Sequence, residues 1–245
     1  MTAVKLITFD LDNTLWHVDE VLRKAEQAVY GWLQHHCPTL TGAYSAEALF
    51  EARVAYWKQH PEFKHQISIM RRSSLAHLLE GCGYSAAEAR QHSDEAFELF
   101  MDFRHRVTFF DHALGVVEQL GRHYQLGILS NGNACPRRLG IDNYFDFHYS
   151  AEALNASKPS PVPFTTALEH VQVEARQCIH IGDSPRDDIL GAAALGIQTI
   201  WVNREGEPWR ESSCRPDAEV ACLSEIPQAV ADIEQRLSRR HGAGT

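Results

Sequence analysis

Short apolar runs alternate with amphipathic segments through the second half of the chain. Four such runs follow one another, at 126–129, 145–149, 178–181 and 198–202. Segments with helical periodicity precede the first run or lie between later ones, at about 113–123, 161–172 and 187–195. Alternation of short strands with helices is typical of a parallel sheet that has helices on both faces.

The first half of the chain has a different pattern. One apolar run, at 4–9, ends directly at Asp10 and predicts a buried strand. A long stretch with helical character follows, at about 18–104, and no run in it predicts a strand. Within this stretch Ser45 is a predicted helix N-cap, and Ser85 opens a capping-box pattern.

These two patterns predict two domains of different class. Residues 1–17 and 105–245 are predicted to form an α/β domain, a Rossmann-like doubly wound parallel sheet. Residues 18–104 are predicted to form a helical cap domain, inserted between the first strand and the rest of the sheet. A chain of 245 residues is long enough for one such core and one insert.

The charge and composition of the chain limit the classes of binding partner that we expect. The chain has 23 Lys and Arg against 32 Asp and Glu, a net charge of -9. Nucleic acids and anionic membranes attract basic faces, so neither is an expected partner. No run approaches the roughly 18 apolar residues of a membrane span, and Asp10 and Asp12 interrupt the early apolar run, unlike a signal peptide. With six cysteines and no Cys-x-x-Cys pair, we expect a cytoplasmic protein with a small-molecule substrate.

Polar residues suited to phosphate chemistry follow several predicted strands. They are Asp10, Asp12, Ser130, Asn131 and Asp183, with Lys158 in the loop after a further strand. In a doubly wound sheet, ligands lie beyond the carboxyl ends of the strands. Crowded carboxylates need a cation between them, and Mg²⁺ takes one or two carboxylates together with a phosphate. A lysine and a hydroxyl complement the remaining phosphate oxygens, so the pattern favours phosphoryl transfer.

Four segments, in this order, resemble the motifs of the haloacid dehalogenase-like superfamily. They are residues 10–14 (DLDNT), Ser130, residues 158–159 (KP) and residues 182–188 (GDSPRDD). A single Asp-x-Asp is a weak signal, whereas four ordered motifs at strand ends are a specific one. The interval between the first two motifs matches a helical cap of the C1 type.

The resemblance implies a phosphatase that works through an aspartyl-phosphate. Asp10 would be the nucleophile, and Asp12 the general acid that protonates the leaving alcohol and then the base that activates water. Ser130 and Lys158 would bind the phosphoryl oxygens. Asn131 is predicted to contact the substrate beside them.

The resemblance also implies a Mg²⁺ site. Its ligands would be the carboxylates of Asp10 and Asp183 and the backbone carbonyl of Asp12. Family members place a final aspartate four or five residues after the position of Asp183, so Asp187 and Asp188 both fit. Asp188 is preferred as part of the metal site because the register that follows it matches the nearest relatives.

A narrower similarity concerns the substrate. Residues 128–136, 142–147 and 179–183 are similar to bacterial flavin-mononucleotide and ribitylaminouracil-phosphate phosphatases, which favours FMN or a related ribityl phosphate. A nucleotide, a sugar phosphate or phosphoglycolate is the alternative within the same class. A catalytically idle fold that serves as a binding module is the alternative from another class, and the retained motif residues argue against it. Asp12 argues against a dehalogenase or phosphonatase, which lack this second aspartate.

Three large side chains near these motifs are interpreted as packing residues. His180 and Trp201 lie within predicted strands and are assigned to the core. Trp16 lies just after the first motif, where packing is a more common role for an aromatic residue than lining a substrate pocket.

Overall fold

The computed structural model describes residues 4–242. The chain forms two compact units, one of Met1–His17 with Thr108–Thr245 and one of Val18–Val107. Among the helices of the described part, none combines the length and the apolar character that a membrane span requires.

The first unit is built on a six-stranded sheet. Its strands are β1 (Leu6–Phe9), β2 (Gln125–Ser130), β3 (Phe147–Ser150), β4 (Cys178–Gly182), β5 (Gln198–Val202) and β6 (Ala218–Val220). They lie in the order β3-β2-β1-β4-β5-β6, and every neighbouring pair is parallel. This is the order of a doubly wound sheet, so the predicted α/β fold class is confirmed.

Helices lie between most of the strands and after the last one. The α-helices are α1 (Val18–His36), α2 (Pro38–Ala43), α3 (Ala46–Gln59), α4 (Ile67–Gly81), α5 (Ala86–Arg104), α6 (Ala113–Gly121), α7 (Pro136–Leu139), α8 (Ala151–Leu154), α9 (Pro161–Val171), α10 (Gly191–Ala193) and α11 (Ile226–Gly242). Short 3-10 helices cover Pro61–Phe63, Asp142–Tyr144, Ala175–Gln177 and Leu223–Glu225, and a π-helical segment covers Pro185–Leu190.

Burial explains why the strands are so apolar. All four residues of β1 are buried, as are all five of β4. On one face of the sheet, Leu6 of β1 and Leu129 of β2 pack with Phe164 of α9 and Ala192 of α10. Helices α6 and α11 also contact each other and the sheet. Because helices cover the sheet, its strands need apolar residues on both faces.

Several elements were not predicted from the sequence, among them β6 and α11. Strand β6 has only three residues, Ala-Glu-Val, and lies at the edge of the sheet, where a polar side chain is tolerated. Helix α11 was also not predicted. The helix predicted at 187–195 begins earlier, as the π-helical segment Pro185–Leu190, and continues as α10.

The second unit, within the described residues, is entirely helical. Its core lies between α1, α4 and α5 and includes Leu33, Leu79 and Phe97. The predicted caps are confirmed: Ser45 Oγ accepts from the backbone of α3 (3.2 Å), and Ser85 forms a complete capping box at the start of α5.

A partly buried ion cluster joins three helices of this unit. Both carboxylate oxygens of Glu26 in α1 accept from Arg53 in α3 (2.8 and 3.0 Å), and one also accepts from Arg71 in α4 (2.6 Å). Burial alone would raise the pKa of Glu26, but the two guanidinium groups outweigh it and lower the pKa to about 2. The carboxylate therefore stabilises the fold mainly by compensating two cations of low solvent access.

Glu26→Gln is expected to lower the free energy of unfolding by about 3 kcal/mol, because it leaves two poorly solvated guanidinium groups without their carboxylate. The wild-type contribution should also be lost as the pH falls from 4.5 to about 2. Urea denaturation measures both effects. The control is Glu118→Gln in α6, which removes an exposed pair with Arg122, the residue directly after this helix, and should cost less than about 1 kcal/mol. Equal losses of unfolding free energy in the two variants would contradict a stabilising role for the Glu26 cluster.

Candidate active site

The first motif follows β1, a central strand, and forms a tight turn. The N–H of Asp10 donates to the carbonyl oxygen of Ile181 (2.9 Å), which extends the pairing of β1 with β4. Asn13 has a left-handed backbone conformation (φ 60°), which Asn adopts more readily than most residues. The N–H of Asn13 then donates to the carbonyl of Trp16 (2.7 Å) and closes the turn. Asp10 and Asp12 thus lie at the carboxyl end of the sheet.

Three carboxylates meet at this edge. Asp10, Asp183 and Asp188 each offer one carboxylate oxygen, and these atoms lie within 4.8 Å of one another. Asp10 follows β1 and Asp183 follows β4, and these adjacent strands occupy the centre of the sheet. Of the two final aspartates that the sequence left open, Asp188 belongs to this group, whereas Asp187 lies outside it.

Lys158 joins two of these carboxylates. Its Nζ donates to Asp10 Oδ1 (2.7 Å) and to Asp188 Oδ1 (2.6 Å), and its side chain is only 2% exposed. Burial by itself lowers the pKa of the ammonium group, but the two carboxylates outweigh burial and hold it above its ordinary value. Lys158 is therefore a permanent cation beside the predicted nucleophile.

Asn131 fixes the backbone of the lysine loop. Its Oδ1 accepts from the N–H of Lys158 (2.8 Å), and its Nδ2 donates to the carbonyl of the same residue (3.0 Å). The side-chain amide of Asn131 is thus engaged with the loop. Ser130 precedes it at the end of β2, is 4% exposed, and accepts from the N–H of Gly132 (3.0 Å). Because the Ser130 hydroxyl is the acceptor in this bond, its own hydrogen is not used there.

A chain of hydrogen bonds supports Asp188 from inside the sheet. Its Oδ1 also accepts from His180 Nε2 (2.9 Å), and its Oδ2 accepts from the N–H of Ser184 (3.0 Å). Thr8, the cross-strand neighbour of His180, is bonded to His180 Nδ1 (2.8 Å). Burial lowers the pKa of His180, so a neutral ring donates from Nε2 and accepts at Nδ1 from the Thr8 hydroxyl. Burial alone would raise the pKa of Asp188, but Lys158 and His180 hold it below its ordinary value.

Gly182, the last residue of β4, is required by the close approach of Asp188. A Cβ atom at this glycine would lie 2.2 Å from Asp188 Cγ and 2.3 Å from its Oδ2. No larger residue fits without displacing the carboxylate that holds Lys158. The glycine of the fourth motif is thus part of the charge arrangement.

Asp183 is held at its side chain and its backbone. Thr14 Oγ1 donates to its Oδ1 (3.3 Å), and the indole N–H of Trp201 donates to its carbonyl oxygen (2.8 Å). Burial, followed by repulsion from Asp188, raises the pKa of Asp183 to about 7. Burial is also the main cause that raises the pKa of Asp10, with repulsion from Asp188 and Asp183 added to it. In both cases burial and the neighbouring carboxylates disfavour the ionised form.

Asp12 has a separate partner. Its Oδ1 accepts from the indole N–H of Trp16 (3.0 Å), and Trp16 is fully buried. The carboxylate of Asp12 is not among the three that converge on the possible cation position. Its predicted contribution to a metal site, through the backbone carbonyl, stays a prediction.

The charges and donors of the site fit a hard divalent cation. With Asp10, Asp183 and Asp188 ionised and Lys158 protonated, the cluster carries a net charge of -2. Its available ligands are carboxylate oxygens, which Mg²⁺ prefers, and they include no imidazole or thiolate. The arrangement is therefore suited to a divalent cation beside the carboxylate of Asp10, the predicted nucleophile.

Sequence reasoning missed several supporting residues. His180 and Trp201 are buried as predicted, but each also donates a hydrogen bond to an aspartate of the site. Thr8 and Thr14 had been given no role. The sequence signal was weak, because a histidine and a threonine in apolar strands matter only once the β1–β4 register places them side by side.

Comparison with known proteins defines the class. The model of the haloacid dehalogenase-like hydrolase family matches residues 4–196. The chain belongs to this family, and it is a hydrolase.

Particular relatives differ in their described activities. The chain is 28% identical to the Escherichia coli protein 5-amino-6-(5-phospho-D-ribitylamino)uracil phosphatase YigB, over 93% of this chain and 96% of the relative. It is 25% identical to human N-acylneuraminate-9-phosphatase, over 97% and 98% of the two chains. A crystal structure described as a 2-haloacid dehalogenase from Pseudomonas syringae pv. Tomato DC3000 has 43% identity, a TM-score of 0.88, and coverage of 94% and 99%.

Gly182→Ala is expected to lower kcat/KM by about 10²-fold or more, because the new methyl group displaces Asp188 and, with it, Lys158. Steady-state kinetics with a phosphomonoester measures the loss. The control is Gly115→Ala in α6, where nothing lies within 4 Å of the added Cβ. The control should keep full activity and unfold at the same or a slightly higher temperature. Unchanged kcat/KM in Gly182→Ala would contradict the assigned role.

Asp183 is expected to contribute a fall in the stability of the metal-free protein as the pH rises from about 4 to about 7. In this range folded Asp183 keeps a proton that the unfolded chain releases, because its pKa is raised from 3.8 to about 7. Thermal unfolding without metal measures this slope, which should be smaller in Asp183→Asn. Mg²⁺ should raise the wild-type Tm more at pH 8 than at pH 5, and should not raise that of Asp183→Asn. An equal response of both proteins to Mg²⁺ would argue against Asp183 as a ligand.

Proposed function

We propose that this hydrolase is a Mg²⁺-dependent phosphomonoesterase that acts through an aspartyl-phosphate on Asp10. The observation that carries the proposal is the contact of Lys158 Nζ with Asp10 Oδ1 (2.7 Å), inside a group of three carboxylates. A carboxylate is an effective nucleophile only when ionised. Lys158 lowers the pKa of Asp10, but burial and the neighbouring carboxylates raise it by more, so a cation bound beside Asp10 would be needed as well to keep the carboxylate ionised.

Binding and attack use the groups at the sheet edge. The phosphoryl group is bound by Lys158 and by the hydroxyl of Ser130, with Asn131 holding the lysine loop in place. Asp10 then attacks phosphorus, and the bond from phosphorus to the alcohol oxygen breaks. Asp12 supplies the proton that the leaving alcohol needs, and later accepts a proton from the water that hydrolyses the aspartyl-phosphate.

The carboxylates of Asp10 and Asp183 and the backbone carbonyl of Asp12 are proposed to hold Mg²⁺. The bound ion would neutralise charge on the phosphoryl oxygens during transfer. Both oxygens of Asp188 already accept hydrogen bonds. Asp188 therefore contributes to the metal site mainly by its charge and by orienting Lys158.

The proposed substrate is a small phosphate ester of a polyhydroxylated chain, such as FMN or a related ribityl phosphate. The names of the bacterial and human relatives denote phosphatases of a ribityl phosphate and of a sugar-acid phosphate. Both are full-length matches, so the similarity extends over the helical unit as well as the sheet. The unit Val18–Val107 is proposed to act as the cap domain.

A dehalogenase is the second candidate, and the 43% identical crystal structure favours it. The reaction would displace halide from a 2-haloacid, and a halide leaves without a proton. Asp12 would then have no proton to supply. The presence of Asp12, hydrogen-bonded to a buried indole, favours the phosphatase.

Hydrolysis assays separate these functions. We expect phosphate release from FMN, with p-nitrophenyl phosphate as a second substrate, only in the presence of Mg²⁺, and no halide release from 2-chloropropionate. Asp10→Asn should abolish phosphate release, whereas Asp187→Asn, next to the acidic group but outside it, should retain kcat/KM within about threefold. Halide release without phosphatase activity would establish the dehalogenase. Absence of both activities would favour the idle binding module.

A further inference from the structure

We propose that Trp16 is a positioning residue for proton transfer: its indole N–H orients the carboxyl group of Asp12 and confines the transferable proton to Oδ2. The proposal rests on the proposed function, because it requires that Asp12 exchanges a proton with the leaving alcohol and with water. It adds a residue to the reaction that lies outside the four motifs.

The first support is the hydrogen bond itself. Trp16 Nε1 lies 3.0 Å from Asp12 Oδ1, well within the range of an N–H···O bond. Trp16 is fully buried, whereas Asp12 is half-buried. A buried indole N–H needs an acceptor, and here the acceptor is the predicted acid–base group.

The second support is the rigidity of the indole. The backbone of Trp16 forms isolated bridges with both Asp12 and Phe109. Its ring packs edge to face on the ring of Phe109, with centroids 5.6 Å apart. The neighbours of these two residues are hydrogen-bonded as well: the N–H of Phe110 donates to the carbonyl oxygen of Leu15 (2.8 Å). The indole is therefore fixed by backbone and side-chain contacts before any substrate binds.

The third support is the chemistry of the donor. An indole N–H donates and never accepts. Asp12 Oδ1 cannot direct a proton of its own toward the indole, so the neutral acid carries its proton on Oδ2. The N–H therefore favours one orientation of the carboxyl group for proton transfer.

The proton balance of the two steps follows. As the bond from phosphorus to the alcohol oxygen breaks, that oxygen keeps the electron pair and takes the proton from Asp12 Oδ2. In the second step Asp12 Oδ2 takes a proton from water, the water oxygen bonds to phosphorus, and the bond from Asp10 to phosphorus breaks. Asp12 returns to its protonated state, and Trp16 gains or loses no proton.

The test is the dependence of kcat/KM on the leaving group. p-Nitrophenolate leaves readily without a proton, whereas an alkyl alcohol needs one, and kcat/KM reports the steps up to departure of the alcohol. In Trp16→Phe we expect kcat/KM to fall about 10- to 100-fold for glycerol phosphate, a part of the usual worth of general acid catalysis. For p-nitrophenyl phosphate it should fall by no more than about threefold. An equal fall for both substrates would show a merely structural role and would overturn the proposal.

A double-mutant cycle tests whether Trp16 acts through Asp12. Asp12→Asn should lower kcat/KM more for glycerol phosphate than for p-nitrophenyl phosphate, and adding Trp16→Phe should not change that ratio further. If Asp12→Asn itself does not change the ratio, the acid role in the proposed function fails. If Asp12→Asn changes it and Trp16→Phe does not, only the role of Trp16 fails.

A second variant covers the case in which Trp16→Phe does not fold, since the side chain is fully buried. Benzothienylalanine, incorporated at position 16 by amber suppression, replaces the N–H by sulfur at nearly constant shape. This variant should keep the wild-type Tm. It should lower the ratio of kcat/KM for glycerol phosphate to kcat/KM for p-nitrophenyl phosphate, as expected for Trp16→Phe. A wild-type ratio in this variant would overturn the proposal.

Discussion

The contact of one buried ammonium group with two carboxylates is the interaction on which the site depends. Lys158 lies between Asp10 and Asp188, and its side chain is almost completely removed from solvent. Buried charges of this kind are tolerated only when they are paired and hydrogen-bonded. The pairing explains why Asn131 fixes the backbone of the lysine loop and why His180 and Ser184 complete the hydrogen bonds of Asp188.

The topology of the sheet brings these charges together. In the order β3-β2-β1-β4-β5-β6, the adjacent central strands β1 and β4 end at Asp10 and Asp183. Residues 173 positions apart in the sequence thereby share one edge of the sheet. With all three acidic groups ionised, they exceed the single ammonium group and leave a net negative charge that a divalent cation would balance. Burial, followed by repulsion from Asp188, raises the pKa of Asp183, so cation binding and proton release would be linked.

Much of this arrangement could be predicted from the sequence. The strands ending at Asp10, Ser130 and Asp183 were recognisable from their apolar runs, and the parallel sheet follows from their alternation with helices. The choice between Asp187 and Asp188 could not be made from spacing, because the segment that carries them is π-helical, and its geometry decides which carboxylate points toward Lys158.

The supporting contacts were beyond sequence reasoning for a physical reason. In the sequence, His180 and Trp16 look like ordinary core residues. Their apolar sequence neighbours indicate burial but do not reveal which distant polar group each side chain will contact. Gly182 was recognised as part of a motif, but its steric role depends on a side chain six positions later that folds back onto it. Such contacts depend on register and rotamer, which hydrophobic periodicity does not specify.

Calorimetric titration of the protein with Mg²⁺, in buffers of different ionisation enthalpy, tests the central claim most directly. At about pH 6, where Asp183 is largely protonated in the metal-free protein, we predict one Mg²⁺ per chain and a measurable release of protons on binding. The release should decline toward zero at about pH 9. Absence of Mg²⁺ binding, or binding without any proton release at pH 6, would contradict a site in which excess buried carboxylates share one divalent cation.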